Sequence, residues 1–466
     1  MVAEPPPGTG NHAIFPPMHG CSTLARVALP VVLPLALLAA LTGCKSEPAP
    51  EPKPDYTRQL GPGECALKKL DPSEWPDLGA AWRVRDPFLN QALDRSVNWF
   101  GAASSKTKFP FMQVCTWEQA AASAVAFRQI MKESKDEASF MGALKQNFEV
   151  WKTVGWNGEG TVLFTGYYSP EFKGSLKRSD EFKYPLYKRP ADLVTDPSNG
   201  EPKGRQMKDG TVQPWPARKE LEDSQAFKGT ELVWLRSPLD VYIAQVNGSA
   251  KIILPDGKPY FVGYAGKTDR PYYGLGTACV EAGLIEKDKL SLSAIVALYE
   301  REPAKVQELI WKNESYVFFT EYTGDNWPSG SLGFKVTEKT TLATDKKVYP
   351  QGGVVLVDTQ SIGFGGKQQR FLKFMMDQDT GGAIRAPGRA DIYMGVGPAA
   401  EILAGGQLAE GTMYYLFLKP EAVSQYPLPE KPAKAKSAPK TDAKASGGKQ
   451  QGLKAPAAGK NTDTNK

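Results

Sequence analysis

The pattern of short apolar runs after about residue 160 most constrains the fold of this chain. From "GTVLFTGYYSPEFKGS" onward, these runs are bounded by glycine and proline turns, and this pattern predicts strands. The segment "AQVNGSAKIILPDGKPYFVGYAGK" predicts a hairpin with a Pro-Asp-Gly turn. Further strands are predicted at "SYVFFTEY", "VVLVDTQ", "FLKFMMDQD", "ADIYMG" and "TMYYLFL". The predicted fold class is therefore mainly β, with helices ahead of the strands.

Helical periodicity is confined to the first part of the folded body and to two short later segments. The early helices are predicted at "DPFLNQALDRSVNWF", "TWEQAAASAVAFRQIM" and "SFMGALKQNFEVW", the last ending near Gly155. Thr116 and Gln119 occupy capping-box positions at the start of the second helix. The later helices are predicted around "TACVEAGLI" and "PAKVQELIWKN". These helices carry core residues and no obvious chemistry.

An apolar run over residues 27–41 precedes a cysteine at position 44. Its two prolines and its length, below the ~20 residues of a membrane-spanning helix, favour a secretion signal. The run ends in "LTGC", which resembles the lipobox of bacterial lipoproteins, whose chains are cut before the cysteine. The resemblance implies a signal peptide over residues 1–43 and a lipid on Cys44. A buried apolar helix is the alternative interpretation, and Met18 is an alternative start.

Two low-complexity segments frame the folded body. Residues 44–64 hold a proline-rich linker, and residues 427–466 form a Lys/Ala/Pro tail that we expect to be disordered. The tail has nine lysines against three acidic residues, an excess of six that equals the net charge of the whole chain. A solvated extension and a tether to anionic wall polymer or phospholipid both fit this tail. We expect no nucleic-acid partner for an exported protein.

Histidine is absent from the predicted mature chain, because His12 and His19 are the only two. This excludes Ser-His-Asp and Cys-His triads and His-ligated zinc, and proton transfer falls to Asp, Glu, Tyr, Lys or Cys. The wide spacing of Cys65, Cys115 and Cys279 argues against a zinc ribbon or an iron–sulfur site. We therefore expect no metal and no cofactor. A disulfide is permitted in an envelope compartment, and Cys65 with Cys115 is the first pairing to expect, although spacing does not fix connectivity.

Three aspartates lie at predicted strand ends. Asp358 closes "VVLVD", Asp379 follows "FLKFMMDQ" and Asp391 opens "DIYMG". Like charges brought together there would raise at least one pKa, as a general acid working near neutral pH requires. Aspartates at strand ends are also common turn caps. Arg385 and Arg389 either orient these aspartates, meet carboxylates of a substrate or form a surface salt bridge.

The ordered motifs "FTGYYSP", "YPLYKRP", "AQVNGSAKIILPDG", "VGYAGK", "SYVFF" and "QDTGGAIRAPGRADIYMGVG", behind a lipobox, resemble the membrane-bound lytic murein transglycosylase A family. The resemblance covers roughly residues 65–424. It implies a double-psi β-barrel domain built from residues 65–168 and 315–426. A second, smaller β domain would be inserted at residues 169–314, with a groove for glycan between the two domains.

The resemblance also assigns roles to individual residues. The family's catalytic aspartate sits in a "DIY.G.G" element, which selects Asp391, with Asp379 and Asp358 as supporting members of its three-aspartate module. The implied substrate-binding residues are Thr165, Gly166, Tyr167, Gln245 and Ser249. This sequence departs from the family's "QxQGSGR" element, where it reads "QVNGSAK", so contacts from the inserted domain are expected to differ.

Enzymes of this family cut the β-1,4 bond between N-acetylmuramic acid and N-acetylglucosamine without water and leave a 1,6-anhydromuramoyl end. The resemblance implies that Asp391 gives its proton to the glycosidic oxygen and then takes one from the C6 hydroxyl. Burial beside Asp379 is expected to keep Asp391 protonated until it is used. The implied partners are peptidoglycan glycan strands, the membrane through the Cys44 lipid, and other cell-wall enzymes. Lys45 lacks the aspartate of an inner-membrane retention signal, so we expect the periplasmic face of the outer membrane.

Two alternatives stay open on the residues alone. Asp379 and Asp391 could serve as the acid and base of a hydrolytic glycosidase on the same fold. A non-catalytic peptidoglycan-binding lipoprotein is the other alternative. Neither the need for stem peptides nor the choice between chain-end and internal cleavage follows from the sequence.

Overall fold

The computed structural model describes residues 53–197, 200–363 and 366–430. The predicted signal peptide, the lipidated Cys44 and nearly all of the predicted tail lie outside the described residues. Within the described part, no helix has both the length and the apolar content that crossing a membrane requires.

The described residues form eleven α-helices and seventeen β-strands. The α-helices are α1 Leu78–Arg83, α2 Leu89–Phe100, α3 Ala103–Lys106, α4 Trp117–Glu133, α5 Glu137–Asn147, α6 Arg218–Asp223, α7 Pro238–Asn247, α8 Leu275–Glu281, α9 Leu292–Arg301, α10 Pro303–Ile310 and α11 Gly397–Gly406. The strands are β1 Leu67–Lys69, β2 Phe148–Thr153, β3 Val162–Ser169, β4 Glu171–Ser175, β5 Tyr184–Tyr187, β6 Leu193–Thr195, β7 Pro202–Gln206, β8 Val212–Gln213, β9 Glu231–Leu235, β10 Ser249–Ile253, β11 Pro259–Lys267, β12 Val317–Tyr322, β13 Thr341–Ala343, β14 Val354–Ile362, β15 Gln368–Asp379, β16 Arg389–Val396 and β17 Leu408–Leu418.

Helices α2, α4 and α5 form at the three early segments where helical periodicity predicts them. The Thr116 side chain caps α4 by accepting a hydrogen bond from the Gln119 amide nitrogen at 3.1 Å. The reciprocal half of the predicted capping box is replaced, because the Gln119 side chain donates to the backbone oxygen of Leu418 at 2.6 Å. This side chain therefore ties α4 to β17.

The third predicted helix is shorter than its sequence pattern suggests. Helix α5 ends at Asn147, and the following residues form β2. Phe148 and Val150 have no exposed surface, and β2 pairs with both β1 and β17. Burial on a sheet face and these partner strands outweigh the local helical pattern.

Six strands close into a barrel. In the order β17-β14-β15-β13-β16-β3 each strand pairs with the next, and β3 pairs back with β17. Two of these pairings are parallel, β13 with β15 and β16 with β3. Strands β2 and β1 extend the sheet beyond β17. Closure leaves the strands that carry the predicted aspartates paired on both sides.

The barrel is filled with apolar side chains. Val355, Val357, Met375, Ile392 and Tyr415 come from four of its strands, and none has exposed surface. Full burial of one large aliphatic side chain stabilises a fold by roughly 1.5–3 kcal/mol. Protein interiors packed in this way are rigid. The wall of the barrel is therefore a firm support for the groups that it displays.

A second lobe is formed by the chain between β3 and β13. Its six-stranded sheet has the order β12-β11-β10-β4-β9-β5, and β6, β7 and β8 form a separate small sheet. The predicted Pro-Asp-Gly turn joins β10 and β11, with the Leu254 amide donating to the Lys258 oxygen at 3.0 Å. Helices α8 and α10 were predicted, whereas α6, α7 and α9 were not. Helix α7 had a recognisable start, because Ser237 caps it and Pro238 is its first residue.

Strand β12 lies in this second lobe, although the expected barrel domain began at residue 315. It pairs with β11 in the six-stranded sheet. Phe318 and Phe319 of β12 are buried in hydrophobic clusters of the second lobe. The chain thus contributes one more strand to the second lobe before it returns to the barrel.

The expected disulfide between Cys65 and Cys115 is wrong, because Cys65, Cys115 and Cys279 are all free thiols. Cys115 is buried in the barrel-side core, and this burial raises the pKa of its thiol to about 12. The Cys65 sulfur lies 4.0 Å from the Met112 sulfur instead. A solvent-shielded, protonated thiol is a poor partner for disulfide exchange.

Candidate active site

Five residues from five neighbouring strands form one row across the barrel wall. Ala343 on β13 pairs with Asp379 on β15 and with Asp391 on β16. Asp391 pairs in turn with Thr165 on β3, and Thr165 pairs with Leu408 on β17. Neighbouring strands lie about 4.8 Å apart, so the Cα atoms of the two aspartates are roughly 10 Å apart. This row brings together residues from distant parts of the sequence.

The Asp391 side chain is held by a hydroxyl and a guanidinium. Asp391 is 9% exposed, and the Thr165 hydroxyl donates to its Oδ1 at 2.5 Å. Arg389 donates to both carboxylate oxygens, at 3.1 and 3.4 Å, and to the Thr165 hydroxyl at 3.1 Å. Arg389 and Asp391 are two residues apart on β16 and therefore share a face of the strand. Of the interpretations offered for Arg389, the structure supports the one in which it orients an aspartate.

The Asp379 carboxyl has different partners. The Tyr167 hydroxyl donates to its Oδ2 at 2.8 Å, and the amides of Ser331 and Thr380 donate to its Oδ1 at 2.9 Å each. Burial raises the pKa of Asp379 above its ordinary value, and these three hydrogen bonds work against that rise. Asp379 therefore takes up a proton more readily than an exposed aspartate does.

The sequence analysis placed Asp391 beside Asp379. Asp379 is not among the residues that hold the Asp391 carboxylate. Ala343 lies between them in the row, and Arg389 is the charged group in contact with Asp391. Like-charge repulsion from an adjoining Asp379 is thus replaced by a paired cation. The sequence motifs identified both aspartates of the site. They did not predict the distance between the two carboxyl groups.

Thr165 and Tyr167 connect the two carboxyl groups along β3. They are two residues apart, so their side chains lie on the same face of the strand, where one reaches Asp391 and the other Asp379. The Tyr167 ring packs against Tyr393 with 5.1 Å between ring centroids. Burial, followed by the charge of Asp379, raises the pKa of Tyr167 well above its ordinary value, so it remains a hydroxyl donor.

Gly166 faces away from these carboxyl groups. A Cβ atom added to it would lie 2.6 Å from the Cα of Ala404 in α11. Adjacent residues of a strand point to opposite faces, so Gly166 lies on the helix side of the barrel wall. The structure therefore explains this glycine by close packing of α11 on β3, and not by a side-chain position in a groove.

Asp358 does not join the row, and the expectation that all three aspartates meet is wrong for it. Asp358 lies on β14 opposite Leu372 of β15, seven residues before Asp379 and therefore roughly 20 Å from it along the strand. The reason is that β14 and β15 are antiparallel, so equivalent strand ends point in opposite directions. Asp358 instead forms a two-pronged ion pair with Arg370, at 3.0 and 2.8 Å.

Asp345 holds the turn between Asp379 and Asp391. Asp345 is 6% exposed, and its two carboxylate oxygens accept the amides of Lys347 at 3.0 Å and Ala386 at 2.9 Å. Ala386 has a φ of 60°, a left-handed conformation that costs a non-glycine residue roughly 1–2 kcal/mol. The sequence alone assigned Asp345 no role. The residue lies two positions after Ala343 in the sequence, but only the structure shows that Ala343 belongs to the row.

A buried ion pair lies directly beneath the site. Asp377, which has no exposed side-chain surface, contacts Lys346 and accepts hydrogen bonds from Thr344 at 2.9 Å and Tyr415 at 2.8 Å. Burial raises the pKa of Asp377, and the charge of Lys346 opposes that rise. Sequence analysis missed this residue. The signal was an acidic residue within the apolar run "FLKFMMDQ", where a buried charge requires a partner.

Gln245 and Ser249, two predicted substrate-binding residues, are buried in the second lobe, with exposures of 4% and 8%. The Gln245 side chain donates to the backbone oxygen of Val317 at 3.3 Å. The Ser249 hydroxyl is 2.9 Å from the Ser169 hydroxyl, which is 3.1 Å from that of Tyr393. Ser249 therefore supports the site from behind, whereas Gln245 bonds within its own lobe.

Residues 267–272 of the second lobe form what we call the facing wall. Burial raises the pKa of Tyr272 in this wall, and the charges of Arg389 and Asp391 act on the same hydroxyl. The wall is fixed to its own lobe, because the Thr268 amide donates to the Tyr316 oxygen at 2.9 Å and Asp269 accepts the Trp215 amide at 2.9 Å. A preformed polar surface of the second lobe therefore lies within electrostatic range of Arg389 and Asp391.

The groups gathered here fit one class of protein, the enzymes that carry out acid–base chemistry through carboxyl groups and without imidazole. Within the described residues there is no cluster of three or more His, Cys, Asp or Glu side chains able to hold a metal ion. Arginine, threonine and tyrosine around the carboxyl groups supply the fixed dipoles and charges that such chemistry uses.

Comparison with known proteins identifies the family of this chain. Residues 163–320 match the model of the MltA specific insert domain, and residues 340–417 match the 3D domain. Membrane-bound lytic murein transglycosylase A of Escherichia coli K12 is 30% identical over 278 residues, which are 59% of this chain and 70% of that relative. The Vibrio cholerae protein of the same name is 30% identical over 270 residues, 57% of this chain and 68% of its own length.

Solved structures show the same fold. A membrane-bound lytic murein transglycosylase from Agrobacterium tumefaciens superposes with a TM-score of 0.60 at 22% identity, covering 77% of this chain and 99% of its own. Escherichia coli MltA with bound chitohexaose superposes with a TM-score of 0.56 at 24% identity, covering 78% of this chain and 96% of its own. The chain belongs to the membrane-bound lytic murein transglycosylase A family. The fold class, family and enzyme class predicted from the sequence are thereby confirmed.

Proposed function

We propose that this protein cleaves the β-1,4 bond between N-acetylmuramic acid and N-acetylglucosamine in peptidoglycan and forms 1,6-anhydromuramoyl ends. The observation that carries this proposal is the placement of Asp391 in the row, where Thr165 and Arg389 hold its carboxylate opposite the facing wall. Family membership supports the substrate class. The chitohexaose bound by the Escherichia coli relative supports a β-1,4-linked glycan as the ligand.

Asp391 acts first as an acid and then as a base. Its proton passes to the glycosidic oxygen as the bond to C1 breaks, and the N-acetylglucosamine chain leaves with a hydroxyl. The Asp391 carboxylate then removes the proton from the C6 hydroxyl of the muramoyl sugar as O6 bonds to C1. No water is consumed, and Asp391 ends in its starting state. One carboxyl group therefore serves both steps, unlike the carboxylate pair of most glycosidases.

Thr165 and Arg389 stabilise the carboxylate that exists between the two steps. Both already donate to it in this structure, so little reorganisation is needed when the charge develops. Asp379 has a supporting role, because it fixes the Tyr167 hydroxyl near the reacting groups. Thr165 and Tyr167 are the two predicted substrate-binding residues that face the reacting sugars. Leu408, 65% exposed at the end of the row, offers an apolar surface to a sugar ring.

The barrel and the second lobe act as two walls of a glycan-binding groove. The row lies on the barrel side and residues 267–272 lie on the other side. We propose the division predicted from the sequence, a double-psi β-barrel with an inserted domain, with β12 counted in the inserted domain. Hydrogen bonds from Ser249 through Ser169 to Tyr393 connect the second lobe to the barrel.

The protein is anchored to a membrane through a lipid on Cys44, at the periplasmic face of the outer membrane. The "LTGC" sequence supports this proposal, and the curated relatives are named membrane-bound. Replacing Cys44 by alanine is the test. The variant should leave the membrane fraction and lose incorporation of labelled fatty acid, and a variant that keeps both would contradict lipid anchoring.

The test of the reaction is mass spectrometry of muropeptides released from purified sacculi by a soluble form that starts after Cys44. Asp391→Asn and Asp358→Asn are compared with the parent. Products lighter by one water (about 18 Da, the mass lost when O6 replaces water at C1) should appear with the parent and with Asp358→Asn. They should disappear with Asp391→Asn.

Other outcomes overturn the proposal in distinct ways. Hydrated reducing ends from the parent would identify a hydrolase that uses a second carboxylate. No release by any of the three proteins would identify a binding module. Equal loss in Asp358→Asn and Asp391→Asn would remove the special role of Asp391.

A further inference from the structure

Two cations lie side by side on the rim of the aspartate row. Asp345 accepts the amide of Lys347 on one oxygen and the amide of Ala386 on the other, at 3.0 and 2.9 Å. The side chains of Lys347 and of Arg385, which precedes Ala386, are exposed. One buried carboxylate thus fixes the backbone under both cations. Within the described residues, neither of the two side chains forms an ion pair at 4.0 Å or less.

Lys267 approaches the same place from the facing wall. It ends β11 opposite Val317, and its neighbour Thr268 is fully buried and bonded to Tyr316. Burial lowers the pKa of Lys267, Glu201 opposes this effect, and the positive charges of Arg385 and Lys347 lower the pKa further. The three cations therefore converge from the two walls of the proposed groove. We call Lys267, Lys347 and Arg385 the cationic rim.

The cationic rim lies next to the reacting groups. Arg385 is in the turn that connects Asp379 to Asp391, six residues from each. Tyr272, which shares the facing wall with Lys267, lies within reach of the charges of Arg389 and Asp391. A chain bound at Asp391 would therefore pass beside the cationic rim.

Glu201 offsets part of the positive charge of Lys267, and a ligand that carries negative charge would stabilise the three neighbouring cations further. Arginine and lysine placed in this way recognise carboxylates, and a guanidinium can do so with two parallel hydrogen bonds. A glycan made only of N-acetylglucosamine is neutral. Muramoyl units carry carboxylates, either on the lactyl group or in the stem peptide attached to it.

We propose that the cationic rim binds the carboxylates of the muramoyl lactyl group or stem peptide and so selects muramoyl-containing glycan over neutral β-1,4 glycan. This inference rests on the proposed function, since it concerns a subsite of the same groove. It assigns to Lys267, Lys347 and Arg385 a role in specificity and not in bond cleavage.

The test compares the parent with the triple variant Lys267→Gln, Lys347→Gln, Arg385→Gln. Release of anhydro products is measured on strands with stem peptides and on strands freed of them by an amidase, which exposes lactyl carboxylates. Binding of chitohexaose is measured separately as the neutral probe. The triple variant Lys132→Gln, Lys135→Gln, Arg178→Gln is the control, because these three cations are exposed and outside the groove walls.

We expect KM of the rim variant to rise roughly ten-fold on the strand type whose carboxylates bind, because charge-assisted hydrogen bonds are lost. Its kcat and its affinity for chitohexaose should stay within two-fold of the parent. Raising the salt concentration should increase KM of the parent and leave that of the variant nearly unchanged. The two strand types distinguish stem-peptide from lactyl carboxylates as the source.

Unchanged KM on both strand types would overturn the inference, and so would an equal loss of chitohexaose binding. The same effect in the control variant would show that net charge, and not the cationic rim, is responsible. Failure of the proposed function is a separate result, because the parent itself would then release no anhydro product from either strand type.

Discussion

Asp379 and Asp391 lie two strands apart in one row of the barrel wall, with Ala343 paired to both. Each has its own partner on β3, Tyr167 for the first and Thr165 for the second. The two carboxyl groups therefore occupy one face in different environments, with Asp379 bonded to tyrosine and backbone amides and Asp391 paired with arginine. Different environments allow two aspartates to take different roles.

Thr165→Val should lower kcat by roughly ten- to a hundred-fold, because it removes a hydrogen bond to a charged group that the reaction needs. The rate of anhydromuropeptide release measures this effect. Thr359→Val is the control, since Thr359 is a barrel threonine whose hydroxyl donates to the backbone oxygen of Glu410 at 2.9 Å and not to a carboxylate. An equal rate loss in both variants would show that the Thr165 hydroxyl acts only through stability.

Asp379→Asn should change the pH dependence of stability. Burial raises the pKa of Asp379 above 3.8, so the folded protein binds this proton more tightly than the unfolded chain does. The contribution of this group to stability is full below its unfolded pKa and falls as pH rises through the folded pKa. An asparagine side chain does not titrate, so it makes no pH-dependent contribution to stability. The melting temperature of the variant relative to the parent should therefore increase as pH rises above about 4, the ordinary pKa of aspartate.

The control for this pH effect is Asp358→Asn, which removes an exposed ion pair with Arg370. A pH trend shared by both variants would show that the effect is not specific to Asp379. A constant difference between Asp379→Asn and the parent at all pH values would contradict the raised pKa.

Gly166→Ala should destabilise the fold by roughly 1–3 kcal/mol, the usual cost of overpacking. The added Cβ would lie 2.6 Å from the Cα and 3.0 Å from the backbone oxygen of Ala404, and backbone atoms do not yield easily. Gly142→Ala is the control, because no atom lies within 4 Å of its added Cβ and it is inside α5. Urea unfolding should show the control unchanged or stabilised by roughly 0.5–1 kcal/mol. Equal stability of the two variants would contradict the packing of α11 on β3.

Asp345→Ala should cost more stability than Asp345→Asn. The alanine variant leaves the amides of Lys347 and Ala386 without their acceptor, at roughly 1–3 kcal/mol for each buried donor. Asparagine keeps one acceptor oxygen. Activity should fall with stability, since the turn that Asp345 holds joins Asp379 to Asp391. Urea unfolding measures the free energies of unfolding of the two variants. Unchanged stability in both variants would show that Asp345 does not hold the turn.

Cysteine labelling should find three free thiols in the denatured, unreduced soluble form, at Cys65, Cys115 and Cys279. In the native protein, Cys65 should react first, because Cys115 is 5% exposed and Cys279 has no exposed surface. Mass spectrometry after iodoacetamide treatment measures both states. A single reactive thiol in the denatured protein would mean that two cysteines are paired, as the sequence analysis expected for Cys65 and Cys115.

Local pattern was sufficient to locate much of the site. The "DTGGAI" and "ADIYMG" segments identified Asp379 and Asp391, and "FTGYY" identified Thr165 and Tyr167. The structure brings these four together through hydrogen bonds from β3. Asp358 was misplaced, because the sequence shows where a strand ends but not whether its neighbour runs parallel or antiparallel.

The structure also separated the roles of adjacent residues. Gly166 lies between Thr165 and Tyr167 in sequence, yet it faces α11 while they face the carboxyl groups. Gln245 and Ser249 belong to a motif that suggests ligand contact, yet their side chains are buried. Strand alternation and burial against other elements decide such cases, and neither is visible in a motif.

The sequence by itself narrowed the reactive chemistry, because it has no histidine after His19 and its ordered aspartate motifs make carboxyl groups the candidate proton donors. It also determined the strand-rich class of the fold, through the spacing of apolar runs and turns. Only the tertiary structure decided that Arg389 holds Asp391, that Ala343 separates it from Asp379, and that Lys267 lies within electrostatic range of Arg385 and Lys347. The physical reason is that barrel closure and strand register set distances between residues far apart in the chain, and electrostatic interactions depend on those distances.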